Sequence, residues 1–491
     1  MPDRPHVLFV MTDHWPAALL GAAGHPVIQT PTLDQIARNG MCFTNCYAEC
    51  PVCVPARRTI MTGTTPRFHG DRVYNELLPM PEVPTLAQCF RDGGYQAFAV
   101  GKLHTCPQRN RIGFDDVILM EEGRTQYGLT DDYEQDLSEH GFHGRFFETG
   151  MCNNEYMTRP WSLPEQFHPT HWATRKMCQT IRRRDPRKPM FLYLSYMHPH
   201  PPLWPLEVYH QLYRQFDPAA LEQDRPVRGA WAERSADPPP PPRIAEAQRS
   251  WAAKLGHAEA ARQARAAFYA LCTHIDHQLR VVLGTLREAK MLDDTLILFT
   301  SDHGDMLGNH GLWGKSLFYE DSAGVPLLLS AGKAGTRVQV HAQDDRLCGH
   351  QDIMPTLLDL CGLPIPASVQ GRSMLAAERR DTLFGEIAEG AHATRMIRRG
   401  DWKLIYYAGG NRTQLFNLKE DPRELLDRAD VPACAAVRAD LTARLIAELH
   451  GGDEAWVQNG HLVGLPAPAA ADGAHPHPNF NFSNQRGLHY F

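Results

Sequence analysis

Four short apolar runs, at residues 7–11, 95–100, 190–196 and 295–300, constrain this chain most: each has strand length and each stops abruptly at polar side chains. The first delivers Thr12, Asp13 and His14, the second Lys102 and His104 after Gly101, the third His198 and His200 among prolines, and the fourth Ser301, Asp302 and His303. Helix-patterned stretches such as 32–39 and 258–289 lie between them. Strands that alternate with helices predict a mostly parallel, doubly wound α/β sheet. Ligands of such sheets bind beyond the carboxyl ends of the strands, so all four clusters should converge on one crevice. One polar cluster at a strand end reads as a loop cap; four in register read as a site.

The 491 residues, 43% hydrophobic and 22% charged, have the composition of a globular protein with a large core. With 50 Lys plus Arg against 56 Asp plus Glu, the formal charge is −6. No global basic field exists to hold nucleic acid or an anionic membrane, so any anion must be captured locally. The run at 7–11 is too short for a signal peptide or a membrane span, which leads to the expectation of a cytoplasmic protein. Beyond about residue 374 the texture changes, and 395–407 reads as two antiparallel strands around Gly400 and Asp401. The division expected is a catalytic α/β domain over 1–374, a smaller α+β domain with antiparallel strands and a helix over 375–463, and a tail over 464–491. The tail's Phe480, Phe482, Tyr490 and Phe491 follow no helix or strand period, which suits a subunit interface as well as a disordered terminus. The proline run 238–242 should form a stiff polyproline insertion on the surface.

For a chain expected to be cytoplasmic, the 12 cysteines favour thiols over a disulfide framework. Cys42, Cys46, Cys50 and Cys53 stand close enough to raise a zinc or iron–sulfur site. Ligand cysteines usually come as two tight pairs with turn residues between, whereas Met41, Phe43, Tyr47 and Val52 make this stretch apolar. Small buried thiols account for three of the four, and Cys53 has a different use.

Asp13, Asp302 and His303 offer hard oxygen and imidazole donors suited to a divalent cation such as Ca²⁺, Mn²⁺ or Zn²⁺, and His14 is a further candidate. A cation there needs a nucleophile to activate. The run Cys53-Val54-Pro55-Ala56-Arg57-Arg58-Thr59-Ile60-Met61-Thr62-Gly63 holds one. Pro55 fits the first turn of a helix, which sets residue 53 near that helix's positive end, with Arg57 one turn on.

That run resembles the signature of the type I sulfatases of the alkaline phosphatase superfamily, Cys-x-Pro-x-Arg with an apolar-apolar-Thr-Gly ending. The resemblance extends from Val7 to about Leu449. Gly101-Lys102-Leu103-His104 is similar to the family's Gly-Lys-x-His element, Pro199-His200-Pro201-Pro202 to its Pro-His-x-Pro loop, and Ser301-Asp302-His303-Gly304 with Gly314-Lys315 to its Ser-Asp-His-Gly and Gly-Lys pair. The resemblance implies an alkaline-phosphatase-like fold and the hydrolysis of a small anionic ester, a sulfate monoester, to alcohol and sulfate. It implies one divalent metal held by Asp13, Cys53, Asp302 and His303, and oxidation of Cys53 to formylglycine by a formylglycine-generating enzyme. One hydroxyl of the hydrated aldehyde would attack sulfur to give a covalent sulfo-enzyme intermediate, and the other would later expel sulfate. Arg57, Lys102, His104, His200 and Lys315 would complete the catalytic set, the lysines on the sulfate and His200 at the leaving-group oxygen.

Two departures narrow the resemblance. Val54 stands where the family usually has a small residue. Asp13-His14 and Asp302-His303 replace the paired aspartates and the Asp-Asn of many sulfatases, a pattern similar to the branch of phosphonate monoester hydrolases, choline sulfatases and bacterial arylsulfatases. In that branch the same site would alternatively cleave phosphonate monoesters or phosphodiesters, and a homo-oligomer, dimer or tetramer, is implied. Asn75 is a further pocket candidate, and Trp161, Trp172 and Trp204 are either core or walls of an aryl or sugar site. A binding-only descendant would have lost a ligand or the nucleophile, and no motif is missing.

Overall fold

The computed structural model describes residues 4–123, 130–151, 154–214, 241, 244–245, 258–332 and 337–467. The first apolar run becomes β1 (His6–Thr12), every residue of which is buried. It shows no polar alternation because both its faces are covered, Leu8 and Val10 on one side and Val7, Phe9 and Met11 on the other. The sheet is completed by β2 (Gly40–Tyr47), β3 (Gln96–Gly101), β4 (Asp116–Leu119), β5 (Met190–Ser195), β6 (Thr295–Ser301), β7 (Leu327–Ala331) and β8 (Ala342–Gly349). Their order is β4-β3-β5-β1-β6-β7-β2-β8. β1 pairs in parallel with β5 and β6, β3 continues in parallel from β5, and β7 runs against both its neighbours. The four runs read from the sequence are therefore adjacent, and their carboxyl ends open on one edge.

Helices cover both faces. The helix Ala258–Glu288 presents Phe268, Leu271, Ile275, Leu279, Val282 and Leu286 at three- and four-residue spacing, all fully buried. Each such side chain contributes roughly 1.5–3 kcal/mol of transfer free energy. It packs with the helix Pro169–Arg182 and with α1 (Pro31–Arg38), whose first N–H groups at Thr32 and Leu33 donate to Asp276 at 3.0 and 2.8 Å. Against the opposite face lie α2 (Cys53–Thr62) and the helices Leu86–Asp92 and Ile353–Leu360, through Ile60, Met61, Phe90 and Leu357.

A second, antiparallel sheet follows: β9 (Thr382–Ile387), β10 (Thr394–Arg399), β11 (Trp402–Tyr407) and β12 (Arg412–Asn417), ordered β12-β11-β10-β9. The expected hairpin is its centre, with Arg399 facing Trp402 across the two-residue turn Gly400-Asp401 and Gly400 at φ 55°. One face of this sheet packs on the helix Ala435–Glu448 through Leu441 and Leu445. The other places Met396, Ile405, Tyr407 and Phe416 in one cluster with Cys50, Val52, Met306 and Phe318 from the loops of the first sheet.

Two expectations need correction or restriction. Pro241 is buried, not on the surface, because the adjoining Ile244 joins the cluster between the two sheets; the rest of the run 238–242 lies outside the described residues. The tail aromatics Phe480, Phe482, Tyr490 and Phe491 also lie outside them. The cysteine cluster dissolves into packing. Cys42 and Cys46 belong to β2, whose register shifts between Phe43 and Asn45, and they sit against different cores, with Cys50 in a third. No disulfide joins the described cysteines. No described helix is long and apolar enough to cross a membrane.

Candidate active site

Because Thr12 of β1 pairs with Ser301 of β6, Asp13 and Asp302 leave neighbouring strand ends at the same height. Asp302 N donates to Thr12 O at 3.2 Å, which fixes that register beyond the sheet. α2 begins at Cys53 after the extended residue Val52, with Pro55 in its first turn, and points its N-terminus at the two carboxylates. Cys53 Sγ lies 3.3 Å from His303 Nε2 and 3.8 Å from Asp13 Oδ1. One ligand atom each from Asp13, Cys53, Asp302 and His303 falls within 4.8 Å of the others, and all four residues are buried. Two carboxylates and an imidazole collected so closely, with a side chain of residue 53 among them, are a donor set that fits one divalent cation.

Basic side chains wrap this acidic centre. Arg57, one turn into α2, donates to Asp302 at 2.9 Å, to Lys102 O at 2.8 Å, to Ser195 Oγ at 2.9 Å and to Asp13 at 3.4 Å, and so ties α2 to the ends of β1, β3, β5 and β6. Lys102 follows Gly101, where φ is 102° and an added Cβ would meet Ser195 O at 1.9 Å, so only glycine lets the chain turn there. Its ammonium donates to Asp13 at 2.5 Å and to Glu122. Lys315 Nζ lies 2.8 Å from Cys53 Sγ. Burial and Asp13 oppose ionisation of the Cys53 thiol, but Lys102, Lys315 and His303 outweigh them and hold it well below the usual thiol range. Burial likewise opposes the Asp13 carboxylate, yet Lys102, His200, Lys315 and His14 hold it well below the ordinary value.

With this geometry in hand, the sulfatase family profile matches residues 5–363. The chain belongs to the sulfatase family. Membership makes it a sulfuric ester hydrolase, and the profile described as N-sulphoglucosamine sulphohydrolase, C-terminal, matches residues 308–450 of this sulfatase. It is 33% identical to an arylsulfatase of Clostridium perfringens over 94% of this chain and 97% of that one. It is 30% identical to a choline-sulfatase of Rhizobium meliloti over 90% and 85%. A phosphonate monoester hydrolase from Silicibacter pomeroyi shares the fold, with a TM-score of 0.75 at 24% identity over 90% of this chain and 95% of that one.

The remaining residues named from the sequence fall around the same centre of the sulfatase or away from it. His104, at φ 63°, has its backbone N–H, like that of Leu103, on Glu121 at 2.8 and 2.9 Å; burial pushes Glu121 up to about 7 despite these bonds. His200 turns Nδ1 to Pro201 O at 2.5 Å, and its buried Nε2 has no hydrogen-bond partner among the described residues. His14, Asp13 and His200 form a second group of close ligand atoms. Asn75 is not drawn in: its Oδ1 accepts from Leu77 N at 3.2 Å within its own turn. Trp172 and Trp204 are fully buried core, and Trp161 packs against the same cluster. Sequence reasoning missed Ser195, Glu121, Glu122, Tyr156 and Asp305. Asp305 had a signal, two residues past His303 in the same motif, and Ser195 ends an identified strand; Glu121, Glu122 and Tyr156 belong to the stretch 121–156, in whose sequence no pattern points to the site.

Proposed function

We propose that this sulfatase hydrolyses sulfate monoesters with residue 53 as a formylglycine hydrate, and that Cys53 Sγ marks the place its hydroxyls take. The observation that carries the proposal is the ring of cations around that atom: Lys315 at 2.8 Å, Lys102 held by Asp13 at 2.5 Å, and a donor set that fits a divalent metal. Asp13, Asp302, His303 and residue 53 would hold the metal, which would supply charge neutralisation to the sulfate and lower the pKa of a residue 53 hydroxyl. Arg57 fixes the carboxylates relative to α2, so that residue 53 meets the sulfate in one orientation. Lys102 and Lys315 neutralise the nonbridging oxygens as the residue 53 oxygen bonds to sulfur and the ester S–O bond breaks. His200 Nε2 hands the departing alcohol its proton. The covalent sulfate ester then breaks at its carbon–oxygen bond as His104 takes the proton of the second hydroxyl, and water restores the hydrate.

Cys53 is fully buried, so a formylglycine-generating enzyme would have to act before α2 closes over it. The deciding test is a peptide mass spectrum across residue 53 of enzyme that turns over 4-nitrophenyl sulfate. The aldehyde is expected, and unmodified cysteine in active enzyme overturns the mechanism. Faster cleavage of 4-nitrophenyl phenylphosphonate than of the sulfate would instead make the phosphonate reading the correct one.

A further inference from the structure

His14 takes the place of the second aspartate of many sulfatases, and its contacts are not those of a simple substitute. Nδ1 lies 2.6 Å from Asp305 Oδ2 and Nε2 lies 2.7 Å from Lys315 Nζ. An ammonium has only donors, so Nε2 accepts, the ring proton sits on Nδ1, and Nδ1–H donates to Asp305. His14 itself is buried. The rings of His200 and His303 pack edge-on at 4.4 and 4.6 Å and hold it from two sides. Asp305 does more than hold the ring. Its Oδ1 accepts from Leu307 N at 2.9 Å and from Gly314 N at 3.1 Å, and Tyr156 donates its hydroxyl to Oδ2. Gly314 immediately precedes Lys315, so one carboxylate anchors both the backbone from which that lysine departs and the ring that receives its ammonium.

We propose that His14 is a positioning residue: the Asp305–His14 pair aims the Lys315 ammonium at the reacting atom of residue 53 and does not belong to the metal's ligand set. A cation on His14 Nε2 would have to displace that ammonium. The inference rests on residue 53 as the reacting centre. Among the described residues of the site, Lys315 is the one cation that donates to no carboxylate, and a long unbranched side chain left to itself populates many rotamers.

The test uses the metal-loaded enzyme and its variants His14→Ala, His14→Gln, Lys315→Ala and His14→Ala/Lys315→Ala. It reads kcat and KM on 4-nitrophenyl sulfate, metal per chain by mass spectrometry, and the crystal structure of His14→Ala. His14→Ala should lower kcat about 10- to 100-fold with little change in KM. His14→Gln, whose Oε1 still accepts from Lys315, should recover most of that loss. The double variant should be no slower than Lys315→Ala, since the two groups act as one unit. Metal content should equal that of the parent, and in the crystal Lys315 Nζ should leave residue 53. Loss of the metal from His14→Ala, multiplying effects in the double variant, or Nζ still in place overturns the proposal. Where the alanine variant fails to fold, His14→Leu keeps the bulk and stands in for it. A parent inactive on both sulfate and phosphonate esters would sink the reaction assigned to residue 53, while the position of Lys315 in the crystal would still decide the role of His14.

Discussion

Replacing Lys102 or Lys315 by alanine removes one cation from the proposed sulfate cradle, but the two changes differ in what they leave behind. Lys102 is fully buried between Asp13, at 2.5 Å, and Glu122, both fully buried themselves. Lys102→Ala leaves two carboxylates facing each other without their shared ammonium. Breaking a buried pair in this way costs about 3–5 kcal/mol. Lys315 is only half-buried, and its ammonium faces His14 Nε2 and Cys53 Sγ. Lys315→Ala strands no carboxylate and should cost about 0.5–1.5 kcal/mol, the net worth of an ordinary hydrogen bond. The Lys102→Ala penalty should also depend on pH. A buried carboxylate that has lost this ammonium has a raised pKa, so the folded variant binds more protons than the unfolded chain, and its stability falls as pH rises from about 4.3 through the raised value. The assay is guanidinium unfolding of both variants with metal present, at about pH 5 and about pH 8, alongside turnover of 4-nitrophenyl sulfate. Both variants should be slow. Equal unfolding midpoints for the two, or a Lys102→Ala enzyme more stable at the higher pH than at the lower, would refute the argument from burial.

Three further outcomes follow from the geometry. Asp302→Asn and His303→Ala should each lower metal content below that of the parent, and chelated parent enzyme should recover turnover when the cation is returned; full activity in chelator would remove the metal from the reading. Burial, and after it Asp352, push the Glu49 pKa up to about 7 from an ordinary 4.5. Its stabilising protonated state is therefore complete below about 4.5 and lost as pH approaches 7, so Glu49→Gln should flatten the fall in stability over that window by up to roughly 3 kcal/mol, and an unchanged slope in denaturant midpoints against pH would contradict this. Asp453 accepts from both Arg72 at 2.9 Å and Arg395 at 2.7 Å. Asp453→Asn should cost about 3–5 kcal/mol in unfolding free energy while the folded variant keeps its KM, and parental stability would show that the network is idle.

The strands that deliver the site could be read from the sequence because their fully buried positions demand continuous apolar runs. Asp13 and Asp302 could be recognised as partners because each directly follows such a run. β2 could not, since Gly40, Thr44 and Asn45 break its pattern and its cysteines drew attention to metal chemistry instead. β7, Leu-Leu-Leu-Ser-Ala, is buried throughout, yet nothing local says that it runs against its neighbours. The supports of the site were the least legible. Glu121 and Glu122 hold His104 and Lys102 from a loop whose composition is ordinary, and Tyr156 reaches Asp305 across 149 residues of sequence. Their role is set by where the sheet places the loop, a property that no window of neighbouring residues contains.

The cluster in which Met396, Ile405 and Phe416 meet Cys50 and Val52 lies directly beneath the start of α2. Arg72, beyond that helix, is locked to Glu386 of β9 and to Asp453. The second sheet is therefore the footing on which residue 53 stands, and the two sheets are not interchangeable parts. A chimaera that joined the first sheet of this enzyme to the C-terminal portion of a relative at the apparent seam near residue 374 would carry every motif residue intact and still set residue 53 on a foreign foundation.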